Sequence, residues 1–288
     1  MMNVPSLTRV RCENIAKRIE DGFAKYGISP HPQSDVGKYL REMRWLPDCL
    51  MDPPVPGSPE HDRAVAAFLL VDQAANVATT FSMLAATLIP AEKIQILVKR
   101  LDRLNRVGDP EAREILFELE VAGRIARFPE IRVTFEEPDL QVQTPGSSVG
   151  IACKKVKSLS QLSGRISDAA GQGARSGIPF FVFVDVGDLV TPRGFLHATS
   201  EEELGQHVEQ NICQIMPHYT SGVLRAFSKG TGGVVLCCRT VGIVEFENGL
   251  TEIRWFPTYH LIPNFGVDDA AGALAVVIDL MKVPGLPM

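Results

Sequence analysis

The segment Ile178–Val186, IPFFVFVDV, constrains this chain more than any other. It is a nearly continuous run of apolar β-formers with a single charge, Asp185, so the strand it predicts is covered on both faces. A strand hidden in this way sits inside a sheet with helices packed against it, the layout of an α/β domain. The flanking chain supplies the rest. Glu111–Phe128 reads as a helix, Arg132–Gln143 as a strand, the PGSS at 145–148 as a turn, and Val149–Val156 as a second strand. Leu159–Ala174 reads as a helix weakened by Gly164, Gly171 and Gly173. Ser200 and Glu203 form a capping box for a long helix towards Phe227, which Pro217 should kink or split. Val234–Phe246 and Leu250–Phe256 flank Asn248-Gly249, a hairpin signal, and a last helix covers about 268–282. The expected fold is mixed α/β with one central sheet.

The N-terminal part has a different grammar. Val10, Ile15, Ile19 and Phe23 give a helical spacing over Ser6–Tyr26, and Gly27 is its stop. Pro47–Pro59 reads as an extended connector or lid, followed by helices at about 61–88 and 91–106 with Pro90 between them. Asp109 and Pro110 are a good N-cap and first-turn pair for the next helix. The boundary is therefore expected near Gly108, giving a helical domain over 1–108 and an α/β domain over 109–288. A chain of 288 residues suits two domains.

Charge and targeting signals narrow the partners. Twenty-nine Lys+Arg against 34 Asp+Glu leave a net charge of −5, so any nucleic acid must meet a local basic patch. The N-terminus lacks an apolar signal region. The most membrane-like stretch, 65–89, is interrupted by Asp72, Gln73 and Asn76, so it reads as a buried bundle helix and no membrane association is expected. Six cysteines without a C-x-x-C pair indicate neither a disulfide framework nor a zinc site, and the cytoplasm is the expected compartment.

Three residues of the second half carry candidate chemistry. Glu118 falls inside the apolar stripe of Ile115, Leu119, Ala122 and Ala126, where a carboxylate is costly unless paired or metal-bound, whereas Glu120 projects to solvent with Arg113, Arg124 and Arg127. Asp139 follows Pro138 in a strand whose opposite face carries Leu140 and Val142. Lys154 shares a polar strand face with Gly150 and Ala152, while Val149, Ile151 and Cys153 point into the core. Taken singly, each has an ordinary reading: a carboxylate bending out to water, a turn aspartate, a solvated lysine.

In order and spacing, FELEVAGRI, EEPDLQV and GIACKK resemble the PD-(D/E)xK nuclease signature over about residues 111–186. The resemblance implies a restriction-endonuclease-like sheet flanked by helices and a phosphodiester hydrolase dependent on Mg²⁺ or Mn²⁺, acting on DNA or RNA. By position, Asp139 would be the central metal ligand, Lys154 the catalytic lysine and Glu118 the helix carboxylate, with the Cys153 backbone carbonyl completing the metal shell. One departure matters: the acid two residues before the lysine is Ala152. Glu136, Glu137 or Glu114 would have to fill that gap, or the scaffold binds without cutting. Some relatives keep a helix glutamine near the site, and Gln172 occupies such a position.

The physical case is parallel. Mg²⁺ offsets charge on a scissile phosphate and generates hydroxide, and a lysine adds positive charge there. Lys154, Lys155, Lys157, Arg165 and Arg175 stand against Asp168 alone over 149–177, a local basic excess suited to a phosphate backbone, with Lys155, Lys157 and Arg165 the candidate contacts. Three readings follow: a metal-dependent nuclease, a catalytically inactive nuclease-fold nucleic-acid-binding or regulatory protein, and a protein-interaction module, including a homo-oligomer, built on helices 65–106. GQGARSG and SKGTGG have the wrong spacing or ending for nucleotide-binding loops, and no G-x-S-x-G elbow is present.

Overall fold

The structure is a computed structural model describing residues 4–52, 54–55, 57–83, 89–93, 110–126, 130–144, 147–191, 195–245 and 251–266. The expected helix over 268–282, the Asn248-Gly249 turn and all but the start of the helix at 91–106 lie outside the described residues. The chain divides into two compact units, one within Met1–Arg127 and one within Phe128–Pro284.

The first unit is helical: α1 (Val4–Ala24), α2 (Asp35–Met51), α3 (Pro59–Met83) and α4 (Pro110–Ile125). Gly27, at φ 66°, ends the α1 segment as its sequence suggested. α2 is capped by Ser34, whose Oγ accepts the Gly37 N–H at 2.9 Å, and it continues through Pro47 to Met51. The connector expected from Pro47 onward is thus helical over its first residues. The apolar residues around Pro47, Leu46 and Cys49, are buried, and their packing outweighs the backbone bond that proline cannot donate. α4 packs on α3, so the division falls about one helix later than Gly108. It is buried at every position from 117 to 123, and Glu120, expected in solvent, is only 4% exposed with Arg124 Nε 3.4 Å away. No helix among the described residues is long and apolar enough to cross a membrane.

The second unit is mixed α/β, an open mixed sheet flanked by helices. Its strands are β1 (Arg132–Thr134), β2 (Leu140–Thr144), β3 (Ser147–Lys155), β4 (Phe180–Asp185), β5 (Phe195–Ala198), β6 (Gly233–Glu245) and β7 (Thr251–Pro263). β1, β2 and β3 form an antiparallel meander, and β4 then joins β3 in parallel. β6 runs parallel to β4 along Gly233–Cys237 and to β5 along Val241–Val244, while antiparallel β7 follows its other edge. β4 is buried at all six positions, as its apolar run required.

The helices of this unit are α5 (Leu159–Arg175), one-turn α6 (Gly187–Val190), α7 (Glu201–Gln214) and α8 (Met216–Ser228). α5 forms despite its glycines because Leu162, Ile166, Ala169 and Ala170 bury one face in a core shared with Ala152, Val182 and Val184. Burial on that scale, about 1.5–3 kcal/mol for each large aliphatic side chain, exceeds the roughly 1 kcal/mol each helical glycine costs. Gly173 is needed: a Cβ there would lie 2.1 Å from the Phe180 ring. The long helix expected from Ser200 is split at Ile215, with Pro217 in the first turn of α8. Ser200 Oγ accepts the Glu203 N–H at 3.1 Å, and Glu203 reaches back to Thr199, whose hydrogen bonds hold that carboxyl below its ordinary range.

Candidate functional site

Asp139 does not sit inside a strand. The single strand expected over 132–143 is two strands, and residues 137–139 form the turn that leads into β2. Pro138 lies against Gly150, where a Cβ would come within 2.8 Å of the proline ring, so the turn can press on β3 only because residue 150 has no side chain. The register pairs Leu140 with Ile151 and Gln141 with Gly150, which brings Asp139 beside Ala152 and on the face that carries Lys154.

The sequence suggested a polar face here, and the structure shows a largely buried one. Ala152 is fully buried in the core under α5, and Lys154 lies at the end of β3, with its side chain only 13% exposed. Asp139 is enclosed by hydrogen-bond donors. Its Oδ2 accepts the Cys153 backbone N–H at 2.8 Å and lies 3.9 Å from Lys154 Nζ. Its Oδ1 accepts from Gln172 Nε2 at 2.8 Å, and the same amide nitrogen also donates to the Pro138 carbonyl. Two acceptors on one side fix which end of the amide faces the aspartate. Gln172 reaches the site because α5 runs back over β3, and the only trace of this in the sequence was its distance from Lys154.

Glu118 belongs to the helical unit, where it is 5% exposed and ion-paired with Lys93. The helical wheel placed it inward correctly, but its cation comes from the helical unit. Cys153 is buried, and the group it turns to Asp139 is its N–H. Lys155, expected at nucleic acid, instead faces Asp185 Oδ2 at 2.9 Å and Asp188 at 3.7 Å. Asp185 is 1% exposed, and its Oδ1 accepts the Gly187 N–H at 3.0 Å. An aspartate closing an apolar strand was the available signal for this second pair. Lys157 and Arg165 are half-buried.

The donor set does not fit a divalent metal. Mg²⁺ and Mn²⁺ take hard oxygen ligands, and a carboxylate is available to them when its oxygens face open space or other oxygens. Here an amide nitrogen, a backbone N–H and an ammonium surround Asp139, and residue 152 contributes only a methyl group. Of the three reserve acids, Glu136 and Glu137 are exposed, with Glu137 3.7 Å from Arg175, and Glu114 lies on α4 of the helical unit. Among the described residues, no three His, Cys, Asp or Glu side chains gather around a point that could hold a metal.

The helical unit has its own cleft, about 740 Å³, lined by Ile28, Pro30, Leu40, Arg41, Arg44 and Trp45. Both arginines already meet carboxylates: Arg44 contacts Glu20 at 2.5 Å and Arg41 contacts Glu42 at 3.1 Å. Comparison of the chain with protein-family models, with curated proteins and with solved structures returned no match.

Proposed function

We propose that the chain is a nucleic-acid-binding protein built on a restriction-endonuclease-like sheet whose carboxylate site no longer holds a metal. One observation carries this reading: Asp139 and Lys154 meet on one sheet face at 3.9 Å, yet the oxygens of Asp139 are taken up by donors and the neighbouring acid position is Ala152. In this arrangement the aspartate orients Lys154 and the Pro138 turn, and the lysine presents positive charge at the end of β3. Binding to phosphates needs that charge and no metal.

The test is incubation of the full chain with plasmid, linear duplex and RNA in Mn²⁺, beside Asp139→Ala and Lys154→Ala. Retention of intact substrate, with complexes visible by gel shift, is the expected result. Cleavage by the unmodified chain that both substitutions abolish would restore the metal-dependent nuclease, the reading favoured by the proximity of Asp139 and Lys154.

A further inference from the structure

The basic charge of the second unit is not where its sequence first suggests. Lys155 faces Asp185 and Asp188, and Arg175 lies near Glu137, so neither is a free cation. A different pair stands out on the seam between α5 and α8. These helices pack closely because Gly222 abuts the Ser163 backbone, where a Cβ would come within 2.6 Å of the Ser163 carbonyl oxygen. Across this narrow seam Arg225 Nη2 donates to Ser163 Oγ at 2.6 Å, and Ser163 Oγ lies 2.8 Å from Ser221 Oγ. One turn further on, Lys229 Nζ donates to the Ser167 carbonyl at 2.7 Å and contacts Ser167 Oγ at 3.3 Å. Among the described residues, every side-chain partner of these two cations is a serine oxygen, not a carboxylate.

We infer that the α5–α8 seam is a phosphate-contacting surface, with Arg225 and Lys229 as its cations and the hydroxyls of Ser163, Ser167 and Ser221 as further donors. Both cations are exposed on successive turns of one segment, about 6 Å apart along the axis. With Arg175 set aside beside Glu137, α5 and the segment from α8 to Lys229 still carry Arg165, Arg225 and Lys229 against Asp168, on a chain of net charge −5. A guanidinium and an ammonium bound only to hydroxyls and carbonyls give up weak neutral partners when a phosphate arrives, whereas the arginines of the N-terminal cleft would have to break ion pairs. The seam deepens the nucleic-acid reading and rests on it for its partner, the phosphate backbone of DNA or RNA.

The experiment titrates the full chain, Arg225→Gln/Lys229→Gln, Lys154→Ala, and a control Arg11→Gln/Lys17→Gln that removes equal charge from α1. Labelled single-stranded DNA, duplex DNA and RNA are followed by anisotropy over a salt series, with inorganic tripolyphosphate titrated separately. The seam variant should weaken binding to all sequences alike and flatten the slope of log affinity against log salt by about 1.4–1.8, while the control leaves it unchanged. Nucleic-acid binding that is identical in the seam variant and the unmodified chain overturns the seam and leaves the proposed function standing. Tripolyphosphate binding that depends on Arg225 and Lys229, without any nucleic-acid binding, upholds the seam as an oligophosphate site and overturns the proposed function. Binding of neither probe overturns both.

Discussion

Two consecutive lysines at the end of β3 meet two aspartates on opposite faces of the sheet, and the two pairs are built differently. Lys155 and Asp185 touch at 2.9 Å with the aspartate almost wholly enclosed, and the Gly187 N–H completes its coordination. Lys154 and Asp139 stand 3.9 Å apart, and the aspartate's close bonds go to a backbone N–H and an amide. The first pair uses its cation to keep a buried carboxylate tolerable. The second holds its carboxylate chiefly with a backbone N–H and an amide, and its lysine stands at the longer distance. A lysine next to an acid is therefore not evidence of one role; what else bonds to the acid decides it.

Breaking the tight pair should have the largest effect. Asp185→Ala leaves the Lys155 ammonium and the Gly187 N–H without their buried acceptor, and is expected to cost about 3–5 kcal/mol in urea unfolding. Replacing both partners, Asp185→Leu with Lys155→Met, should recover most of that loss. Asp139→Ala removes an acceptor from Cys153 N–H and Gln172 in a site water can partly reach, for an expected cost of about 1–3 kcal/mol. Lys154→Met should be the mildest, within about 1 kcal/mol in the same assay, because its partner keeps both other donors. A Lys154→Met loss as large as that of Asp185→Ala would erase the distinction between the pairs.

Much of the framework was legible because it rests on local pattern. The apolar run of β4, the existence of the α5 helix and the break before Pro217 all follow from local pattern and backbone chemistry. What escaped depends on contacts between distant segments. Arg132–Gln143 alternates like one strand, but the Pro138 turn seats against Gly150, and neither residue alone announces the other. Glu120 looks solvent-facing on its own helix and is buried because α4 is covered on more than one side. The site divided along the same line. Asp139 and Lys154 meet because adjacent strands bring alternation into register, whereas the partners of Glu118, Lys155 and Gln172 come from segments 25 to 34 residues away in sequence.

If Asp139 is a donor-capped carboxylate, it binds no metal ion. Calorimetric titration of Mn²⁺ into the full chain and into Asp139→Ala tests it most directly. Indistinguishable traces without a saturable site are expected. A stoichiometric binding isotherm in the unmodified chain that disappears in Asp139→Ala would contradict that.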